Sequence, residues 1–543
     1  MNQKITRRDF AQTGCITGLT SSVFACGLSH GSLAVHANWV DAPKQPYGIM
    51  SGEVTHKSAV IWGRSDADAR MLVEWDTDAS FKNPRRVQGP KSTAASDWTA
   101  RCILRDLPPA SEIFYRVTFE NTGGLSQTIL GHLKTPDDGS NDVFFAWSGD
   151  TAGQGFGINP DWGGMKIYSS IEKLSPQFFV HSGDMIYADN PIPAELKLND
   201  SSLWKNITTE AKSKPASSLN DFRGNYQYNL MDQNVLAFHR QVPIIASWDD
   251  HETTNNWYPQ QSLKSRKDRD HYDAFEFGSQ LASRASQAFF EYNPLLPQPA
   301  GDRRVYRKFN RGPLLELFVL DLRSYRGPNS SNRQLQLNAQ STILGPEQLA
   351  WLKNSLQTST ALWKVICSDM PLAIAVGDSM EGKGYCEAVA NADHGLPLGR
   401  ELEMADLLSF MKQAGILNTV WLTADVHYAA AHYYDPARST IPNGFLPFWE
   451  FVAGPLHAGS FGPNSLDGTF GPEVKFQFAP PEGSKLPLAP SDGKQSFGTV
   501  RVDAKTKHMT VDLRGLDGQV LDGGSFTLEP KFNNQSCQLS LIL

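Results

Sequence analysis

The chain has 543 residues, 40% of them hydrophobic and 20% charged, an ordinary globular composition with room for a large domain and a smaller one. A formal net charge of −7 argues against a nucleic-acid scaffold or an anionic membrane surface as partner, since both favour a basic face. Past the N-terminal region no run of about eighteen apolar residues occurs, so no membrane span is expected in the mature chain.

The chain opens with "TRRDF", in which Arg7 and Arg8 precede a weakly apolar stretch and the small-residue site "VHA", Val35 to Ala37. That order resembles a bacterial twin-arginine export signal, so residues 1–37 are set aside from the fold. It implies the twin-arginine translocase as a partner during export and a periplasmic or secreted product. "VFAC" is a poor lipidation site, because bulky Phe24 stands where a small residue is expected. Removal of the signal leaves Cys102, Cys367, Cys386 and Cys537, whose pairing the sequence does not fix.

From 42 to 137 the pattern is short and alternating: "SAVIWGR", "RMLVEW", "ARCILRDL", "IFYRVTFE" and "QTILGHLKT" read as strands between Asp, Pro, Gly and Asn turns. About seven such strands in roughly a hundred residues fit a small all-β sandwich of the fibronectin type III kind. "TPDDGSND", Thr135 to Asp142, is a polar break, and a second, larger domain is placed at 142–530 beyond it.

There the rhythm changes. "VFFAWSGD", "PQFFVHSGDMIY", "PIIASWDD", "LLELFVLDLRSY", "LWKVICSDMP" and "NTVWLTADVHY" are apolar strands, and "MKIYSSIEKL" has helical spacing. Such an alternation predicts an α/β domain whose sheets are covered on their faces. Residues 190–234 form a polar insertion, read as helical arms or a lid, and 495–530 alternate as strands that complete a sheet edge.

Five of these strands end in an acid or in an acid with histidine: Asp150, Asp184 with Tyr187, Asp250 with His251, Asp369, and Asp425 with His427. Strand C-termini converge on the ligand site in α/β folds. Carboxylates gathered there repel unless cations neutralise them, and paired metal ions catalyse attack on phosphorus.

The order Gly-Asp, Gly-Asp-x-x-Tyr, "WDDHETTNNW", "VLDLRSYR", Asp-Val-His resembles the alkaline phosphatase D family of calcineurin-like metallophosphoesterases. The resemblance runs from residue 42 to about 530. It implies a metallophosphoesterase-type β-sandwich flanked by helices, and an exported phosphatase that cleaves phosphate esters with a metal-bound hydroxide. It places Asp150, Asp184, Tyr187 and His427 on the first metal, with Asp184 bridging to a second that Asp250 also holds, and Asp425 at the place of a histidine ligand in the usual Gly-His-x-His motif. Asp369 is a further ligand or a helix cap. His251 becomes the acid or a transition-state contact. Asn255 touches substrate or caps the next helix, and Arg323 binds phosphate or pairs with Asp321. The family often carries Ser-Cys-Gln at the first strand, where the cysteine binds iron. Here Ser148-Gly149-Asp150 stands instead, with Asp150 in place of the thiolate. A phenolate with carboxylates suits Fe³⁺ and an oxygen-rich partner site suits Ca²⁺, with Zn²⁺, Mn²⁺ and Mg²⁺ as other candidates. The readings that compete are a phosphodiesterase or phospholipase D-like hydrolase on the same site, and a noncatalytic exported binding protein.

Overall fold

A computed structural model describes residues 41–264, 271–298, 302–379 and 381–532. The segment read as an export signal, with Cys15 and Cys26, lies outside the described residues, as does Cys537.

The apolar strands sort into two sheets. In the first, Phe179–Ser182 runs parallel between Val143–Ser148 and Ile244–Ser247. Registers His181↔Ser148 and Ser182↔Ser247 bring their C-terminal ends level, so the acids that follow emerge at one edge. In the second, Leu315–Val319, Trp363–Cys367, Thr419–Thr423 and Phe448–Val452 are parallel neighbours in that order. All of these strands lack a solvated face, which is why their sequences do not alternate.

Between the sheets lies one core, with Phe145, Trp147, Val180 and Ile245 on one side and Leu317, Val319, Val365, Leu422 and Phe451 on the other. Outside the first sheet pack Lys166–Lys173, Leu219–Asn229, Gln233–Gln241 and Gly278–Tyr292, which bury Ile167, Phe222, Phe238 and Phe289. Outside the second lie Gly345–Thr358 and Glu401–Gln413, which bury Leu352, Leu356, Leu407 and Met411. Each such side chain contributes roughly 1.5–3 kcal/mol of burial. The architecture is the expected α/β arrangement of a β-sandwich flanked by helices.

The N-terminal segment is all β. Ala69–Asp76 pairs with Arg85–Ser92 and Glu112–Asn121, while Ser58–Arg64 pairs with Ile49–Gly52 and Thr99–Arg105. Met71, Val73, Tyr115, Val117 and Ile61 fill its core. One pairing crosses the polar break: Gly52 stands in parallel register with Ile244, so Ile49–Gly52, Ser58–Arg64 and Thr99–Arg105 continue the first sheet. A Cβ at Gly52 would lie 2.6 Å from the Ile244 carbonyl oxygen, so only glycine permits this approach. At the other end Ser496–Val502 pairs antiparallel with Val143–Ser148 and carries Met509–Gly515 and Val520–Leu528 outward, as expected of 495–530.

The 190–234 insertion departs from the helical arms expected of it. Its first half is a hairpin, Glu195–Lys197 against Leu203–Lys205, turned at Asn199 to Ser201 with Ser201 left-handed at φ 72°. Its second half is helical over Leu219–Asn229, opened by a reciprocal Ser218–Asp221 capping box, and ends as the helix Gln233–Gln241 begins. Trp204 on the hairpin meets Phe156 at 5.7 Å between ring centroids, which pins it to the loop after Asp150.

Candidate metal centre

At the common edge of both sheets the chain turns sharply after each strand. Asp150, Asp184, Asp425 and His427 all take left-handed conformations, with φ of 70°, 52°, 67° and 61°. Non-glycine residues held there are strained, and such strain concentrates at functional sites.

The first group is Asp150, Asp184 and His427, all buried. Tyr187 joins it, its hydroxyl 2.7 Å from His427 Nε2 and 3.4 Å from Asp150 Oδ1. His427 Nδ1 lies 2.5 Å from the Gly459 carbonyl oxygen. A carbonyl can only accept, so Nδ1 carries the proton and the Nε2 lone pair faces Asp150 and Tyr187. The second group is Asp184, Asp250 and His251, and the third is Asp249, Asp250 and Asp425. Asp184 and Asp250 are thus each shared by two groups.

His251 Nδ1 meets Asp189 Oδ1 at 2.6 Å, and the His251 ring lies on Tyr187 at 4.2 Å between centroids. Burial opposes its charge, but Asp189 and Asp250 beside it lift its pKa to about 9. Asn255 contributes its backbone N–H, which donates to Asp189 Oδ2 at 2.8 Å.

Asp369 stands apart from the three groups. Its Oδ1 accepts the Met370 N–H at 2.7 Å and its Oδ2 lies 3.6 Å from Arg323 Nε. Arg323 has no exposed side-chain surface: it donates to Asp249 and Glu387 and lies 3.7 Å from Asp425. The expected pairing with Asp321 is therefore replaced, because Asp321 Oδ1 accepts from the Trp248 indole and from backbone N–H groups. Buried among carboxylates, Arg323 offsets their charge.

Asp249, Asp189, Glu252 and Glu387 were not assigned from the sequence. Asp249 and Glu252 lie inside the string "SWDDHE" and Asp189 in "SGDMIYADN", so adjacent acids beside assigned ones were the signal. Glu387 has no local motif.

These carboxylates fit a cation. Asp150 Oδ2 and Asp250 Oδ1 are buried oxygens without a hydrogen-bond partner, an arrangement that costs free energy unless something positive meets them. Burial, and then the charge of Asp249, push Asp150, Asp184, Asp369 and Asp425 well above the usual carboxylate range. Burial opposes ionisation of Asp250 too, yet Arg323 and His251 bring it below that range.

Comparison with known proteins agrees with this arrangement. The sequence model of the PhoD-like phosphatase family matches residues 145–513, and that of the PhoD-like phosphatase N-terminal domain matches 32–137. Alkaline phosphatase D of Bacillus subtilis (strain 168) is 28% identical over 451 residues, which span 78% of this chain and 72% of that protein. The solved structure of PhoD superposes with a TM-score of 0.68 at 21% identity, covering 92% of this chain and 94% of the other. A purple acid phosphatase from yellow lupin (Lupinus luteus) seeds shares the fold at a TM-score of 0.53 and 14% identity, covering 91% and 75%. With a family match that spans most of the chain and a carboxylate centre built to receive cations, the chain belongs to the PhoD-like phosphatase family and is a metal-dependent phosphoric ester hydrolase.

Proposed function

We propose that the strand-end centre holds two or more cations and hydrolyses a small phosphate ester in a periplasmic or secreted setting. The observation that carries this is the overlap of three ligand groups through Asp184 and Asp250, which suits neighbouring cations sharing an oxyanion. When bound, such cations supply an activated water and neutralise charge on the phosphoryl oxygens. The first group, with the Tyr187 phenol and one imidazole, suits Fe³⁺; the all-carboxylate group of Asp249, Asp250 and Asp425 suits Ca²⁺.

The chain's own residues handle the proton. Asp189 holds Nδ1 of His251 and thereby orients the ring. The Asp189 carboxylate at Nδ1 favours the protonated imidazole, whose Nε2–H is then available to the departing alkoxide. Arg323, buried between them, offsets the charge of Asp249 and Asp425. Export by the twin-arginine route is supported by Arg7 and Arg8. No helix among the described residues is long and apolar enough to cross a membrane.

The test is metal analysis of the purified protein with monoester and diester assays before chelation, after it, and after return of each metal. Activity that vanishes with chelator and returns with metal is expected, and the ratio of the two rates names the ester class. Hydrolysis that survives complete removal of metal would refute the reading.

A further inference from the structure

The segment "GPLHAGSFG", Gly454 to Gly462, carries no carboxylate, yet it is laced to both ends of the first ligand group. Leu456 N–H donates to Gly149 O at 2.8 Å, His457 N–H to Asp150 O at 2.9 Å, and Ala152 N–H to His457 O at 2.7 Å. His457 is itself anchored, its Nε2 2.9 Å from the Gly157 carbonyl oxygen. Further on, Gly459 O takes the Nδ1 proton of His427, and the half-buried Phe461 ring lies on that imidazole at 4.3 Å and 20°. At the near end Gly454 has φ 153°, and a Cβ there would come within 2.5 Å of Asp150 Oδ2.

We propose that Gly454 to Phe461 is a positioning element for the cation held by Asp150, Tyr187 and His427. The Gly459 carbonyl fixes the imidazole tautomer, the Phe461 ring fixes its plane, and Gly454 leaves the space that Asp150 Oδ2 occupies. This rests on the metal-centre reading above and adds to it residues that touch no cation. A ligating imidazole is held by the partner of its other nitrogen, and loss of such support weakens metal binding about 10–100-fold. Phe461 supplies a face of that support which a polar partner does not, since without it the His427 ring can rotate about its last torsion.

The experiment uses the full mature chain, stripped by chelation and titrated with Mn²⁺ against a competing chelator. In Phe461→Ala one class of bound Mn²⁺ should weaken about 10–100-fold while the other stays at its wild-type affinity. Phe461→Tyr should restore it, and the unfolding temperature of the stripped protein should match wild type. Gly454→Ala should weaken the same class; if that variant does not fold, the Phe461 pair decides alone. Adding Phe461→Ala to His427→Ala should change nothing further, because the ligand it positions is already gone. Wild-type affinity for both classes in Phe461→Ala, or an added loss in the His427→Ala background, would overturn the proposal. Should His427→Ala itself leave both classes intact, the metal-centre reading falls, which is a separate failure.

Discussion

At the residue scale, the shared oxygens of Asp184 carry the most consequence. Its carboxylate belongs to two ligand groups and its Oδ1 also accepts the His251 N–H at 3.2 Å. Asp184→Asn keeps the shape but removes an anion from both groups, so metal content and hydrolysis should fall together; normal occupancy with near-normal turnover would remove the shared-ligand assignment. His251 makes a different prediction. His251→Ala should keep the cations of the first and third groups and slow turnover on the order of 10²–10⁴-fold, more for a poor leaving alcohol than for nitrophenolate, which leaves without a proton. Asp189→Asn should show the same leaving-group dependence in weaker form, since it disturbs the ring's orientation and charge without deleting it. Equal losses for both leaving groups would make His251 a contact and not the acid. Tyr187 is tested by light. A phenolate on Fe³⁺ absorbs in the visible, so Tyr187→Phe should bleach the native protein; a colourless native enzyme fully active with zinc or calcium alone would make Tyr187 a packing residue.

Among the elements, Glu252 is the tie between strand ends. Its carboxylate accepts the N–H groups of Asp184 at 3.0 Å, Met185 at 2.6 Å and Asp249 at 2.7 Å. One side chain thus holds together the turns after Phe179–Ser182 and Ile244–Ser247. Glu252→Leu strands three buried donors, each worth about 1–3 kcal/mol when unpaired, whereas Glu252→Gln keeps one accepting oxygen. Chemical unfolding of the stripped variants should rank wild type above Gln above Leu; equal stability of Leu and Gln would show that the donors find other partners. The elements also show what a sequence can disclose. "VFFAWS" and "PIIAS" were legible as strands because a strand buried on both faces must be apolar throughout. The acids after them were legible because a charge at the end of such a run needs a reason. The hairpin at 195–205 was not, since strands of three residues leave too little periodicity to see. Nor was the Gly454 to Phe461 segment, which acts through a carbonyl, a ring face and the lack of a Cβ. From the sequence Arg323 reads as a phosphate contact or a partner of Asp321, but its neighbours Asp249 and Glu387 come from segments far away in sequence, so its partners had to be seen in three dimensions.

Over the whole molecule, the centre sets how stability depends on pH and metal. In chelated protein, burial holds protons on Asp150, Asp184, Asp369 and Asp425 that the unfolded chain, titrating near pH ~4, has already released. The folded state then binds more protons than the unfolded one, so stability falls as pH rises. Glu252, pushed up to about 8 by burial, has the same sign. So does His251, whose contribution is complete below its unfolded value and is lost as pH rises through about 9. Asp250 and Glu387, held below the usual range, have the opposite sign, but their contribution is lost only in acid, as pH falls through those lowered values. Between about pH 6 and about pH 8 the buried His181, His239, His427 and Lys212, all lowered by burial, add a contribution of opposite sign. They are in the same state in loaded and chelated protein, and so drop out of the difference between the two. Cations in the centre replace the protons of the raised carboxylates as countercharge and bind the folded state alone, which adds stability by mass action. The gap in unfolding temperature between Mn²⁺-loaded and chelated protein should therefore widen steadily across that window. A thermal melt series with and without chelator reads it directly. A gap that stays constant or narrows as pH rises would mean that the strand-end carboxylates are not where folded protein trades protons for metal.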